Sequence, residues 1–284
     1  MKVIGFGDNV VDKYLHIKTM YPGGNPVNFA VYAKQLGVDS SYIGVFGNDD
    51  IAEHIKYALI DLGIDISCCV VKEGQSGFCE VTLIDGDRVF MDWNEGGIST
   101  EDPMVLGDRE LEYLKKFDLI HSGCFASSEK ELKKLKKLGP LVSYDFADEE
   151  QFREEDYLKE VCPNIDFALF SCKGLEIEAI KEFQRKITGF GTKYVLATMG
   201  TDGSIFYDGQ EYYEGTVELV DAVDTMGAGD SFVTAFLIYL LQNGWKKDKS
   251  VSKVIIKEAL KSAAKFSANN CLVEGAFGYG KKFN

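Results

Sequence analysis

No stretch of this 284-residue sequence approaches eighteen consecutive apolar residues, so no helix is expected to cross a membrane. Histidine is scarce. His16, His54 and His121 are all there is, which argues against a histidine zinc site. Seven cysteines, at 68, 69, 79, 124, 162, 172 and 271, are odd in number and form no C-x-x-C pair. That pattern argues against a cysteine metal cluster and fits reduced thiols in a cytoplasmic protein. Positive charge is in deficit: 31 Lys and Arg face 45 Asp and Glu, for a net charge of −14. Such a balance argues against nucleic acid and against an anionic membrane as partners. Any bound polyphosphate must then be held by backbone dipoles, a metal and a few cations. There is no signal-peptide pattern, because the apolar run of MKVIGFGDNVVD is short and acid follows at once. No G-x-x-x-x-G-K-[ST] occurs, and Val10 breaks the dinucleotide fingerprint begun by Gly5-Phe6-Gly7. Internal repeats and low-complexity linkers are also missing.

What is there is enough chain for one large core and a minor domain. Val3–Phe6 reads as a strand, Pro26 to Leu36 as a helix stopped by Gly37, and Ser41–Phe46 as a strand. Asn48-Asp49-Asp50 caps a helix running to Leu62. Strand and helix repeat again after residue 103. Strands are expected at Leu119–Ser122, Leu141–Asp145, Ile165–Phe170, Tyr194–Thr198 and Gly203–Tyr207. Helices are expected at Asp108–Lys115, Ser127–Leu138, Glu178–Ile187, Ala228–Leu241 and Val251–Asn269. The lysine-rich run 130–137 is a solvated helix face with Leu132, Leu135 and Leu138 inward. This alternation predicts an α/β fold: a doubly wound, mostly parallel sheet with helices on both faces.

Between the two blocks the pattern changes. Cys68–Val71, Gly77–Ile84 and Arg88–Trp93 are β-prone, and Asp85-Gly86-Asp87-Arg88 reads as a hairpin connection. A small β insertion, from about 66 to 97 and joined by about 10 to 20, is expected within a single domain spanning 1–284. Phe78, Val81, Leu83 and Phe90 supply it with apolar side chains.

The most informative stretch is DTMGAGDSF at 224–232, followed by an apolar run. Gly227 and Gly229 leave backbone N–H groups uncovered where a helix begins, so an anion could rest there. Asp230 is then either a base for phosphoryl transfer or only a cap of the helix.

That stretch resembles the C-terminal signature of the ribokinase-like (PfkB) carbohydrate kinases. Gly23-Gly24-Asn25 with Asn28 and Ala30 resembles their N-terminal signature, and the likeness runs over nearly the whole chain. The resemblance implies a small β lid over a sugar site and phosphoryl transfer from ATP with Mg²⁺. It implies Asp230 as base, with Gly227, Ala228 and Gly229 meeting the transferring charge. Asp8, Asp12, Gly23, Gly24 and Asn28 would hold the sugar. Thr198, Gly200, Gly203, Asp224, Thr225 and Asn269 would serve the nucleotide. A monovalent-cation site and a two-fold dimer through the lid are further expectations of the family. One family element departs: the Asn-x-x-Glu motif reads Ser171-Cys172-Lys173-Gly174-Leu175-Glu176, so Glu176 or Glu178 is the substitute candidate near the metal.

Within the family, GDNVVD, YPGGNPVNFAVYA and DRVFMDWNEG resemble the branch that phosphorylates O6 of fructoselysine. Such a substrate carries two amines and a carboxylate. Asp92 and Glu95 are candidates for the amines and Arg88 for the carboxylate. A kinase of fructose, ribose or another simple sugar is the alternative, and a silent sugar sensor the second.

Overall fold

We describe the chain from a computed structural model covering residues 1–84 and 87–283; the side chains of 83, 84, 87 and 88 lie outside the description. The first block comprises β1 (Lys2–Gly7), β2 (Val10–Tyr14), β3 (Thr19–Gly23), α1 (Asn25–Gln35), β4 (Asp39–Phe46) and α2 (Asp50–Asp61). Then follow β5 (Val70–Val71), β6 (Gly77–Ile84), β7 (Asp87–Trp93), α3 (Ile98–Glu101) and α4 (Asp108–Leu114). The second block runs β8 (Leu119–Gly123), α5 (Glu129–Leu135), β9 (Leu141–Asp145), α6 (Glu155–Val161), β10 (Phe167–Ser171), α7 (Ile177–Gly189) and β11 (Tyr194–Thr198). It ends with β12 (Ser204–Tyr207), β13 (Tyr212–Gly215), α8 (Ala228–Gln242), α9 (Lys253–Asn270) and β14 (Lys281–Lys282).

Apolar runs became strands buried on both faces, as parallel sheets require. In β10, Phe167 and Leu169 join one hydrophobic layer while Ala168 and Phe170 join the other. The first layer takes Phe29, Val233, Phe236 and Leu260 from α1, α8 and α9. The opposite layer takes Leu114, Leu132, Leu158 and Ile180 from α4 to α7. The nine-stranded sheet has the order β13-β12-β11-β10-β9-β8-β1-β4-β5. Pairing is parallel from β5 to β11 and antiparallel through β12 and β13. The chain runs from β1 outward to β5, then returns beside β1 and winds the other way. The reversal between β1 and β8 leaves a crevice at the carboxyl ends of those strands.

The smaller sheet is ordered β14-β3-β2-β6-β7. Two features correct the sequence reading. Val70–Val71 pairs with β4 and so extends the large sheet instead of the insertion. The small sheet also recruits Thr19–Gly23 and the distant Lys281–Lys282. Residues 85 and 86 of the expected hairpin connection lie outside the described residues, although β6 and β7 pair antiparallel. Val81 is fully buried against Tyr14 and Tyr21, and Phe78 packs toward the α2 side. Of the expected apolar face, Val81 is buried, Phe78 half-buried and Phe90 exposed beside Met91 and Trp93, while the Leu83 side chain lies outside the described residues. No helix among the described residues is long and apolar enough to cross a membrane.

Candidate active site

The α8 N-terminus opens on a turn that only glycine enters easily. Gly227 is left-handed at φ 71°, and a β-carbon there would stand 2.2 Å from Tyr32 Oη. Gly229 is different: it is exposed, and a β-carbon would meet nothing within 4 Å. The two glycines, alike in the sequence, therefore differ in structure: the conformational constraint resides at Gly227. The Ala228 N–H closes the turn onto Thr225 O at 3.2 Å, so it is engaged within the chain instead of facing an anion.

Asp230 lies in the first turn of α8, where the helix dipole favours negative charge. Its two oxygens are separately clamped. Asn25 Nδ2 donates to Oδ1 at 2.7 Å, and Asn28 Nδ2 donates to Oδ2 at 2.7 Å. Asn25 Nδ2 also donates to Asp145 Oδ2 at 2.8 Å, at the end of β9. Pro26 near the start of α1 and the φ of 105° at Gly24 set the chain so that both asparagines reach this point. Asn25 and Asp145 were not singled out from sequence as site residues. Their signals were present, in the Gly23-Gly24-Asn25 motif and in the acid that ends Leu141–Asp145.

Three carboxylates thus share one crevice. Protein atoms crowd Asp230 and Asp145 although each keeps some solvent-facing area, and Asp8 is buried. Burial pushes Asp8 and Asp145 up to about 7, and the nearby Asp230 charge adds to both. Burial also raises Asp230, while the Asn28 and Asn25 donors oppose that by favouring its ionised form. The two amide donors thus favour the ionised form of Asp230 against the effect of its burial.

The sign of the Asp8 effect on folding follows directly. Between its ordinary 3.8 and about 7, the folded chain holds a proton that the unfolded chain has released. The stability this group lends is full at acid pH and is lost as pH rises through about 7. Asp8→Asn is therefore expected to gain in thermal midpoint relative to wild type between about pH 5 and about pH 8. A constant difference across paired melts would show that Asp8 does not hold its proton.

Beside the clamp are acceptors suited to hydroxyl donors. Asp8 Oδ1 and Asn28 Oδ1 are buried and accept no hydrogen bond within the chain. Asp12, mid-strand in β2, turns Oδ2 to 3.0 Å from where a Gly23 β-carbon would be, and Asp8 Oδ2 lies 3.1 Å from the same position on Gly24. The two glycines thus leave room among three polar groups. Asp8, Asp12, Gly23 and Gly24 lie close together, and Asn28 links the group to Asp230.

The nucleotide candidates form a second group. Thr198 ends β11 and leads to a single turn at Gly200–Asp202. Gly200 and Gly203 have φ of 62° and 98°, and a β-carbon at Gly203 would stand 2.3 Å from Gly215 O. Lys173 lies along Gly200, its Cδ 3.5 Å from the β-carbon position. A cleft of about 360 Å³ beside this turn is lined by Thr201, Asp202, Thr216, Val217 and Leu219 among others. Asp224 is buried and serves the fold: its carboxylate accepts from Tyr14 Oη at 2.6 Å, Met226 N at 2.9 Å and Gly275 N at 2.9 Å. It fastens the turn before α8 to the small sheet. Thr225 is exposed, and Asn269 is exposed in the last turn of α9.

Glu176 and Glu178 are exposed at the start of α7, and Glu178 lies 3.4 Å from Lys181 Nζ. Among the described residues no cluster of three His, Cys, Asp or Glu is built to hold a metal. In the small sheet, Asp92, Trp93 and Glu95 are exposed, and Glu95 has a left-handed φ of 53°. Trp93 meets Phe125 edge-on at 6.1 Å, just past β8. A hollow of about 430 Å³ is lined by Trp93, Asn94, Glu95, Thr100 and Glu101. The Arg88 side chain lies outside the described residues.

Comparison with known proteins agrees with this geometry. A family model described as pfkB family carbohydrate kinase matches residues 2–277. The fructosamine kinase FrlD of Bacillus subtilis (strain 168) is 39% identical over 281 residues, spanning 99% of this chain and 94% of its own. The fructoselysine 6-kinase of Escherichia coli (strain K12) is 32% identical over 249 residues, spanning 88% and 91%. Among solved structures, a fructokinase with bound ATP from Xylella fastidiosa superposes with a TM-score of 0.80 at 17% identity, covering 98% of this chain and 94% of that one. Arabidopsis thaliana ribokinase complexed with ribose and ATP gives 0.78 at 21%, with the same coverage. The structural likenesses establish the fold, and the matches along the sequence establish the family: this chain belongs to the pfkB family of carbohydrate kinases.

Proposed function

We propose that the chain phosphorylates O6 of a fructosamine, fructoselysine or a close adduct, with ATP as donor. The carrying observation is Asp230, clamped by Asn25 and Asn28 at the start of α8, beside buried acceptors on Asp8 and Asn28 that lack hydrogen-bond donors within the chain. The names of two relatives, a fructosamine kinase and a fructoselysine 6-kinase, support the choice of sugar.

The residues fit a nucleotide's phosphates. A positive helix end and an open Gly229 face the site, and the turn at Gly200–Gly203 offers backbone with little side chain in the way. The described carboxylates do not form a metal cage, so Mg²⁺ would be held chiefly by the phosphates and water, with Glu176 or Glu178 reached through water. ATP supplies the phosphoryl group, and Mg²⁺ offsets its charge. Asp8, Asp12 and Asn28 orient the sugar hydroxyls. Asp230 takes the O6 proton as the oxygen bonds to phosphorus and the bond to the leaving ADP oxygen breaks. The small sheet covers the sugar and limits water as a competing acceptor. Exposed Phe90, Met91 and Trp93 on the edge strand β7 support a dimer through that sheet, which light scattering would test.

The test is a competition at equal, limiting fructoselysine and fructose, with the products resolved by mass. Fructoselysine is expected to win, and Asp92→Asn or Glu95→Gln to narrow its lead more than they slow fructose. Preference for fructose would replace this substrate with the simple-sugar reading, to which fructokinases at 28–29% identity also point. Binding of either sugar without ATP consumption would favour a sensor.

A further inference from the structure

Asn25 has one amide nitrogen and two N–H bonds, and each is directed to a different carboxylate. One reaches Asp230 Oδ1 at 2.7 Å and the other Asp145 Oδ2 at 2.8 Å. Its carbonyl oxygen Oδ1 is buried and accepts no hydrogen bond within the chain. An amide in that position has two orientations, related by a half-turn of its plane. In one it donates to Asp230; in the other it turns its own oxygen on a carboxylate. Asp230 alone selects the donating orientation with one hydrogen bond, whereas Asp145 adds a second.

We propose that Asp145 is a positioning residue for the phosphoryl transfer, acting through Asn25 to keep the amide donating to Asp230 and so to fix the direction of the base. The Asp145 carboxylate is itself held. Its Oδ1 accepts the Ala147 N–H at 2.8 Å, and Ala147 adopts a left-handed φ of 52°. The far side of Asn25 is bounded by Gly123, whose β-carbon position lies 3.0 Å from Asn25 Oδ1. Any side chain at 123 would press on the same amide. Asp145 also responds to the Asp230 charge, as two groups facing one another across a single amide should. Asp148 on its own loop and the Cys124 thiol beyond β8 also bear on Asp145, while the side chains that donate to Asp230 are Asn25 and Asn28.

The experiment is a double-mutant cycle of Asp145→Asn and Asn25→Ala, assayed on whichever sugar wild type turns over fastest, so an error in the substrate reading leaves it intact. Asp145→Asn can keep the acceptor for Ala147 and nearly the same volume. It is expected to lower kcat by roughly tenfold or more while KM for ATP and for sugar stays within about twofold, the pattern of an interaction that matters in the transition state. The double variant should be no slower than Asn25→Ala, because Asp145 has nothing left to act through. A rise in KM with kcat kept, effects that multiply in the double variant, or near-normal turnover of Asp145→Asn would each overturn the proposal. Should Asp145→Asn fail to fold, Gly123→Ala presses the amide from its other side and is expected to give the same split; unchanged kcat there overturns it equally.

Discussion

Asp230→Asn is expected to lower kcat by roughly 10²–10⁴-fold, the range lost with a general base. The change keeps size and shape but removes the charge that takes the hydroxyl proton. The clamp makes the forecast sharper. Asn25 and Asn28 both donate to Asp230, so an amide there must turn its own NH₂ toward one of these donors. Some local repacking is expected, yet the fold should persist, since burying the Asp230 charge is itself unfavourable. ATP binding, read by calorimetry, should change little. Purified Asp230→Asn that turns over at near the wild-type rate would end the assignment of the base.

Gly227→Ala is expected to damage both stability and turnover. The left-handed backbone at 227 costs an alanine roughly 1–2 kcal/mol before any contact is counted. The added methyl would also stand 2.2 Å from Tyr32 Oη. Tyr32 cannot easily yield: it is fully buried, its hydroxyl donates to Ala276 O at 2.5 Å, and Asn270 donates to it at 3.1 Å. The turn must move instead, and Asp230 moves with it. A thermal midpoint lower by about 4 °C or more is expected. A fall in kcat/KM on the order of 100-fold should accompany it, the scale of an ångström-sized displacement of reacting groups. Gly229→Ala is the control, because that site is open and not left-handed. It should keep its thermal midpoint while raising KM for ATP. Equal melting losses in the two variants would show that the turn does not carry the strain.

Much of this was legible in the sequence because local chemistry carried it. Tyr194–Thr198 and Leu141–Asp145 occur as strands with the expected bounds, since short, mostly apolar or β-prone runs of that length suit a sheet covered on both sides. Gly227 and Asp230 stood out because a glycine before a helix, followed by an acid, has few local explanations. Pairing between distant segments was not legible. Val70–Val71 looks like any β-prone pair, and only the free edge of β4 decides its sheet. Asp145 reads as the polar end of a strand until the sheet order brings it near Asn25. The α6 helix was missed because Leu158 and Val161 are its only buried residues in an acidic stretch. Asp224 shows the converse. Its motif pointed to the nucleotide, while Tyr14 and Gly275, remote in sequence, give its carboxylate a tethering role.

The composition of the small sheet also governs the order in which the molecule can be made. Its strands come from residues 10–23, from 77–93 and from Lys281–Lys282, which pairs with β3. Successive strands from β8 to β13 pair in chain order and can assemble as they are synthesised, but the β3 edge stays open until Lys281–Lys282 has been made. Closing so long a loop adds only a slowly growing entropic cost, yet it delays the contact itself. During synthesis the exposed β3 edge is therefore available for pairing with another chain.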